Sequence, residues 1–102
     1  MSYKLRLSAK ARRHIRAAAD WWLANRSKAP EAFADDLEDA FLLISSFPAV
    51  GQRVPHTRLP QLRRPYLARV RYHLYYVASD ETETVEILAL WHASRGEVPS
   101  LP

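Results

Sequence analysis

The 102-residue sequence predicts a single α+β domain, spanning residues 1–102, with the order β-α-α-β-β-β. Two helical patterns follow an opening strand, and segments rich in Tyr and Val come after them, so helices and strands do not alternate regularly along the chain. A short connection joins the two helical segments, which favours a helical hairpin. We therefore expect the N-terminal strand and this hairpin to pack on a small, mainly antiparallel sheet.

The N-terminal quarter of the chain predicts a strand followed by a helix. Residues 3–7 alternate apolar and basic side chains, which is the period of a half-buried strand. Ser8 then offers a helix N-cap, and residues 9–25 have helical spacing. The apolar stripe of this helix is expected to consist of Ile15, Ala18, Ala19, Trp22 and Leu23. Trp22 continues the stripe, whereas Trp21 points about 100° away from it.

A second helix is predicted to begin near Pro30, which suits a first helical turn because its missing N–H costs nothing there. Asp35 and Asp36 lie near that end and suit the helix dipole. The helix ends by Phe47, since Pro48 disfavours helical geometry at the residue before it. Its apolar face repeats at helical spacing and consists of Phe33, Leu37, Ala40, Phe41 and Ile44.

The second half of the chain predicts strands. Residues 52–69 contain three prolines and five arginines and are interpreted as a loop followed by an irregular edge strand, because Pro65 cannot donate a ladder hydrogen bond. Residues 70–77, rich in Tyr and Val, predict a second strand. Residues 84–91 form the clearest strand, with one expected face made of Val85, Ile87, Ala89 and Trp91. Leu88 and Leu90 would occupy the other face, which indicates a central strand buried on both sides. Residues 96–102 are interpreted as a tail.

The composition excludes several classes of site. The chain has no cysteine, which excludes disulfides, thiolate metal sites and thiol nucleophiles and fits a cytoplasmic location. No segment is apolar for long enough to span a membrane, and the N-terminus lacks the apolar stretch of a signal peptide. The sequence has no phosphate loop or dinucleotide fingerprint, and its four histidines lack a recognised metal spacing. We therefore expect no metal and no cofactor.

The charge of the chain is unevenly distributed. The net charge is +4, yet residues 1–28 hold eight basic residues and one acid, and residues 40–79 hold six arginines and no acid. Such segregation produces a positive side that suits a polyanion or an acidic protein partner. A basic domain with solvated arginines explains the same distribution equally well.

Several motifs occur in a fixed order along nearly the whole chain. They are the paired tryptophans at 21–22, the segments at 30–33 and 47–51, an arginine-rich stretch, the segment Arg-Tyr-His-Leu-Tyr-Tyr at 71–76, and a final strand that is followed by Arg95. In this order and at this length, they resemble the RelE/ParE toxin superfamily, and in particular its ParE or plasmid-stabilization branch.

The resemblance implies the toxin of a type II toxin–antitoxin system, held inactive by a cognate antitoxin in a hetero-oligomer. ParE-like members poison DNA gyrase, whereas RelE-like members cut mRNA on the ribosome. We expect the gyrase target; a ribosome-dependent endoribonuclease and a non-toxic basic binding module are the alternatives. The antitoxin of such a pair usually wraps over the hairpin and sheet, so it is expected to contact Trp21, Arg13 and Arg16. Packing of Trp21 against a loop or the tail is an equally good explanation.

The gyrase-poisoning function requires a binding surface and no catalytic constellation. The candidate residues for contacting gyrase or its DNA are Arg58, Arg63, Arg64, Arg69, Arg71 and Arg95. Arg95 ranks first because it matches the terminal His-x-x-Arg pattern of the family. For any other single arginine, simple solvation is the stronger expectation.

A metal-independent nuclease needs a base, an acid and cations that stabilise the phosphorane. The residues of suitable type are Arg64, Arg71, His73, His92 and Arg95. The resemblance argues against this activity, because RelE-like nucleases have an arginine at the position of His73, and an arginine and a tyrosine at Ala93 and Pro99. We therefore expect a protein that is not an enzyme, with His92 bonded to the backbone at the strand end.

Overall fold

The computed structural model describes residues 2–101. Its elements in chain order are β1 (Lys4–Leu7), α1 (Ala9–Asn25), α2 (Ala32–Ser46), β2 (Gln52–Arg53), β3 (Arg63–Arg64), β4 (Tyr66–Leu67), β5 (Tyr72–Ser79) and β6 (Thr84–His92). The predicted α+β class and the leading strand and two helices are confirmed. The single irregular strand expected within residues 52–69 is instead three short strands, because the prolines interrupt the pairing. Pro65 separates β3 from β4, and its carbonyl accepts a hydrogen bond from the N–H of Leu74.

The sheet has the order β1-β6-β5-β3-β2, and β4 also pairs with β5. β1 runs parallel to β6, with Lys4 opposite Thr84, and the other pairings are antiparallel. β6 therefore lies between β1 and β5, which confirms the central position predicted for it. The strand predicted at 70–77 begins two residues later, because Val70 and Arg71 belong to the turn between β4 and β5.

A β-bulge at Leu88 changes the faces of β6. Tyr75 pairs with Ala89 and Tyr76 pairs with Ile87, so Leu88 has no partner on β5. The extra residue reverses the in–out alternation of the strand. The prediction of one shared face for four residues is therefore wrong: Val85 and Ile87 pack against the helices, whereas Ala89 and Trp91 pack on the opposite side. The prediction that Leu88 and Leu90 share the other face is wrong for the same reason, because Leu90 packs on the helix side and Leu88 on the opposite side.

Helix α1 begins where it was predicted to begin. The Ser8 hydroxyl accepts a hydrogen bond from the Ala11 N–H (3.0 Å) and donates one to the carbonyl of Leu88 (3.3 Å). Trp22 is buried, as predicted, and its indole N–H donates to the carbonyl of Ala29 (2.7 Å). Leu23 was expected in the same stripe but is 60% exposed, because it lies about 100° around the helix from Trp22.

Helix α2 begins at Ala32, so Pro30 precedes the helix and does not occupy its first turn. The Ala32 N–H bonds to the Ala29 carbonyl, and a turn therefore occupies the residues before the helix. The predicted apolar face is confirmed: its members are buried or pack against the core, namely Phe33, Leu37, Ala40, Phe41 and Ile44.

The core has two parts, one on each face of the sheet. The larger part lies between the helices and the sheet. The smaller part contains Leu62, Tyr75, Leu88 and Ala89, and Leu101 from the tail packs against it. Among residues 2–101, no helix is both long and apolar enough to cross a membrane.

Candidate functional site

A cleft of about 680 Å³ opens where the C-terminal half of α1, the β4–β5 turn and the end of β6 meet. We call it the arginine–tryptophan cleft. Its functional lining combines cationic and aromatic side chains: Trp21, Trp22, Arg26, Arg69, Arg71, Tyr72, His92 and Arg95. None of the described residues that line it is acidic. The cleft is therefore an electropositive site with stacking surfaces.

The turn between β4 and β5 carries two of the arginines. Leu67 pairs with Tyr72, and the chain reverses over the four residues between them. Arg71 closes this turn with a left-handed backbone (φ 66°), a conformation that costs an L-residue about 1–2 kcal/mol. Its N–H donates to the Leu67 carbonyl (2.7 Å), and its carbonyl accepts from the N–H of Ala93 (2.8 Å). These bonds fix the Arg71 backbone beside the end of β6.

Arg69 is already engaged by helix α2. Its guanidinium contacts the Asp36 carboxylate at 2.5 Å and 3.0 Å and also donates to the Ala32 carbonyl (3.3 Å). The hydrogen bond to Asp36 raises the pKa of Arg69 further above its usual value. Arg69 therefore ties the turn to α2 and is less available to a ligand than Arg71.

His92 is held by the residue two positions further along the chain. Its Nδ1 accepts a hydrogen bond from the backbone N–H of Ser94 (3.1 Å) and contacts the Ser94 hydroxyl at 2.7 Å. Because a backbone N–H can only donate, Nδ1 is the acceptor in this arrangement, which leaves Nε2 to carry the ring N–H. His92 thus presents a hydrogen-bond donor at Nε2, while its acceptor nitrogen is already engaged by Ser94.

Tyr72 lies edge-on to His92, with ring centroids 4.9 Å apart, and packs edge-on against Phe33 at 5.6 Å. Burial raises the pKa of Tyr72, and the charge of Arg95 lowers it by less. The phenol therefore stays protonated at neutral pH and contributes an aromatic wall.

Arg95 is oriented by Trp91. Its guanidinium carbon lies 4.0 Å from the centroid of the Trp91 ring, within the range of a cation–π contact. The Trp91 indole N–H donates to the Glu97 carbonyl (2.7 Å), and the Arg95 N–H donates to the His92 carbonyl (3.1 Å). The residues after β6 thus hold Arg95 at the edge of the cleft.

Arg26 also lines the cleft and was not among the residues selected from the sequence. Its guanidinium carbon lies 5.3 Å from the Trp21 ring centroid and 6.0 Å from the Trp22 ring centroid. Trp21 is 46% exposed, as expected for a residue outside the core stripe. The spacing in the sequence could have indicated Arg26, because residues four apart on a helix are neighbours and Arg26 follows Trp22 by four positions.

The cleft collects five of the residues selected from the sequence: Trp21, Arg69, Arg71, His92 and Arg95. The other selected arginines lie elsewhere. Arg63 donates to the Gly51 carbonyl (2.7 Å), and Arg58 is exposed in the loop between β2 and β3. Arg13 and Arg16 are exposed on α1.

His73 lies on the opposite face of the sheet from Tyr72, because successive side chains of β5 alternate, and Arg64 on β3 lies on the same face as His73, where it contacts Tyr75. His73 packs against Tyr66, with ring centroids 5.0 Å apart, and Arg64 donates to the Tyr75 hydroxyl (2.9 Å). Burial, followed by the charge of Arg64, lowers the pKa of His73, and its buried Nδ1 has no hydrogen-bond partner. The five candidates for a nuclease are thus divided between the two faces.

Four exposed apolar side chains lie on α2 and on the turn that follows it. Leu42, Leu43, Phe47 and Val50 are all about half exposed or more. A groove of about 380 Å³ runs between α2 and β4, with Leu43 and Tyr66 among its walls. We call Leu42, Leu43, Phe47 and Val50 together the apolar α2 surface. Contiguous exposed apolar residues of this kind are typical of a protein interface.

Within residues 2–101, no group of three or more His, Asp or Glu side chains is arranged to hold a metal ion. Among the described residues, the arginine–tryptophan cleft brings together Trp21, Arg69, Arg71, His92 and Arg95. Fold and cleft together define a small basic α+β domain with a RelE/ParE-like sheet.

The chain belongs to the ParE toxin family of type II toxin–antitoxin systems, because the profile of that family, described as "ParE toxin of type II toxin-antitoxin system, parDE", matches residues 5–96. The predicted membership of the RelE/ParE superfamily is therefore confirmed. No curated protein matches the chain.

Solved structures share the fold. A chain of the toxin–antitoxin complex RelBE2 from Mycobacterium tuberculosis is 28% identical, with a TM-score of 0.67, and the match covers 90% of this chain and 99% of that one. A chain of the chromosomal ParDE system from P. aeruginosa is 18% identical, with a TM-score of 0.70 and coverage of 91% and 98%. The isolated RelE toxin of E. coli is 19% identical, with a TM-score of 0.66 and coverage of 94% and 89%.

Proposed function

We propose that this toxin arrests growth by binding DNA gyrase through the arginine–tryptophan cleft, and that a cognate antitoxin neutralises it. The family resemblance supplies the gyrase target. The observation that carries the choice over RNA cleavage is the contact of His92 with Ser94, because the Nδ1 lone pair that could take a proton from a substrate already accepts the Ser94 N–H.

The distribution of the remaining candidates supports the same choice. His73 has a lowered pKa and lies across the sheet from Arg71 and Arg95, so the two histidines cannot act together on one phosphodiester. Cations and aromatic rings without a base suit binding and not proton transfer. The cleft would therefore hold part of a DNA-bound enzyme in place.

The apolar α2 surface supports an antitoxin partner. The RelBE2 structure from Mycobacterium tuberculosis and the ParDE structure from P. aeruginosa are toxin–antitoxin systems. Leu43 and Phe47 would lie under an apolar segment of the cognate antitoxin, while Arg13 and Arg16 on α1 stay candidates for contacting its acidic residues.

The antitoxin is tested by co-purification with the product of the adjacent gene. We expect Leu43→Ser and Phe47→Ser each to reduce capture of the antitoxin, because each removes exposed apolar contact area. An Arg6→Gln control on β1 lies away from that surface and should capture the antitoxin fully. Undiminished capture by both α2 variants would place the antitoxin on another surface without affecting the gyrase proposal.

The target is tested by inducing the chain in cells and following DNA synthesis and protein synthesis separately. We expect DNA synthesis to fall first, with DNA-damage signalling, and we expect Arg71→Gln and Arg95→Gln to relieve the arrest. Arg6→Gln removes the same charge from β1 and should arrest growth as the wild type does. Early loss of protein synthesis, with transcripts cut on the ribosome and normal supercoiling, would contradict the proposal and favour a RelE-like nuclease. Normal growth on induction would favour a non-toxic binding module.

A further inference from the structure

The arginine–tryptophan cleft combines two chemistries that no single amino-acid side chain of a partner matches. Arg71 and Arg95 supply cationic hydrogen-bond donors, and Trp21 supplies a large exposed ring. We propose that the cleft binds one unpaired nucleotide, with its phosphate held by Arg71 and Arg95 and its base packed against Trp21. The inference rests on the proposed function, since it names what the cleft would hold in a DNA-bound target.

The size of the cleft suits this ligand. Its volume of about 680 Å³ lies inside the range of roughly 300–1,000 Å³ that is typical of small-molecule pockets. A nucleoside phosphate fits such a volume, whereas a stacked base pair offers its base faces only to its neighbours in the duplex. The nucleotide would therefore have to be unpaired.

The charges in the cleft are available to a phosphate. Among the described residues, the one ion pair at the cleft joins Arg69 to Asp36, so no carboxylate of residues 2–101 neutralises Arg26, Arg71 or Arg95. Backbone hydrogen bonds in the turn fix the position of the Arg71 main chain, and the Trp91 ring orients the Arg95 side chain. Guanidinium groups pair with phosphate oxygens through two parallel hydrogen bonds. With Nδ1 of His92 engaged by Ser94, the Nε2–H of the ring adds a further donor at the same end of the cleft.

The aromatic wall explains why a nucleotide is favoured over an acidic peptide. Trp21 is 46% exposed, although it is adjacent to the buried Trp22. Arg26 lies beside its ring at 5.3 Å, so a base packing there would contact both an indole and a guanidinium plane. Such surfaces stack any base, because each base has a π-face. A carboxylate-rich peptide would use the arginines but leave Trp21 unused.

The test is fluorescence anisotropy with end-labelled ten-nucleotide oligomers of deoxythymidine, the same length of oligouridine, and a DNA duplex. We expect the single strands to bind and the duplex to bind at least tenfold more weakly. Trp21→Leu should weaken single-strand binding by about 5- to 150-fold, the range that corresponds to removing one base–aromatic stack. Arg71→Gln and Arg95→Gln should each reduce the slope of log K against log salt by about 0.7.

Two matched variants control for general effects. Tyr66→Leu removes an equally exposed aromatic ring outside the cleft, and Arg6→Gln removes a charge from β1. Both should bind the single strand as the wild type does. Circular dichroism of each variant would verify that it is folded. Similar binding of DNA and RNA strands supports an unpaired nucleotide from either source, and a clear preference identifies the source.

Three results would overturn the inference. The first is a duplex that binds as tightly as the single strand, and the second is a Trp21→Leu variant that binds the single strand like the wild type. The third is a polyglutamate peptide that displaces the oligomer and binds the Trp21→Leu variant as tightly as it binds the wild type. These binding measurements contain no gyrase. Loss of nucleotide binding alongside intact gyrase inhibition would therefore reject the nucleotide and leave the target proposal standing.

Discussion

The hydroxyl of Tyr76 accepts a hydrogen bond from the N–H of Gly51 (3.1 Å) and donates one to the carbonyl of Pro48 (2.6 Å). Tyr76 belongs to β5 and is fully buried, whereas Gly51 follows the turn after α2. One side chain of the sheet thus fixes where the chain leaves the helices and enters β2.

We expect Tyr76→Phe to lower the free energy of unfolding by about 1–3 kcal/mol, because it leaves the buried Gly51 N–H and the Pro48 carbonyl without their partner. Urea denaturation measures the change. A Tyr66→Phe variant, at an exposed ring, provides the control and should match the wild type. Equal stability of the Tyr76→Phe protein would mean that water replaces the hydroxyl in this turn.

Gly51→Ala is a second test of the same turn. A Cβ at this position would lie 3.1 Å from the Tyr76 ring and 3.1 Å from Pro65 Cδ, and neither group can move freely. We expect destabilisation of about 1–3 kcal/mol from overpacking. Gly96→Ala is the matched control, since a Cβ there would meet no atom within 4 Å. A Gly51→Ala protein as stable as the control would show that the turn relaxes without loss.

The two adjacent tryptophans should differ sharply in their contribution to stability. Trp22→Ala removes a buried ring and its hydrogen bond to the Ala29 carbonyl, so we expect a loss of about 3–5 kcal/mol. Trp21→Ala, at an exposed ring, should change the stability by less than about 1 kcal/mol. Thermal unfolding of the pair measures both effects, and a melting temperature of Trp22→Ala near that of the wild type would refute the orientation of α1.

His14 should make the stability depend on pH. Its Nδ1 accepts the N–H of Leu90 (3.2 Å), and burial, followed by the charges of Lys10, Arg95 and Arg13, lowers its pKa. Below the unfolded value of about 6.5, the unfolded chain binds the proton more readily than the folded one. The stabilisation is therefore complete above that pH and is lost as the pH falls toward the folded pKa.

The measurement is the free energy of unfolding between pH 7.5 and pH 5 for the wild type and His14→Asn. The Asn side chain can still accept the Leu90 N–H but does not titrate. We expect a smaller decline with falling pH in the variant. His73, whose pKa is also lowered by burial and by Arg64, supplies a second histidine-linked decline that is present in both proteins. Parallel profiles for the two proteins would show that His14 titrates alike in both states.

Local rules predicted the helices well, because their signals lie in neighbouring residues. Ser8 caps α1 as predicted from its hydroxyl and its position just before the helix. The buried face of α2 follows the helical spacing of Phe33, Leu37 and Ile44. The bulge at Leu88 could not be predicted, because it depends on how β5 pairs with β6 and on the contact of Ser8 with the Leu88 carbonyl.

The functional site was predicted only in part. The residue types of the cleft were evident from the sequence, but their grouping depends on long-range pairing. The alternation of β5 places His73 away from the cleft, the contact with Tyr75 holds Arg64 on the same face as His73, and only the fold brings Asp36 against Arg69. Arg26 could have been selected, since it follows Trp22 by one helical turn.

The most direct test of the account is the supercoiling activity of purified DNA gyrase at increasing concentrations of the purified toxin. We expect the wild type to inhibit supercoiling and the double variant Arg71→Gln/Arg95→Gln to inhibit it at least tenfold less effectively. The Arg6→Gln control should inhibit supercoiling as strongly as the wild type. Undiminished supercoiling in the presence of the purified toxin, when the same toxin arrests growth on expression in cells, would contradict the proposed gyrase target.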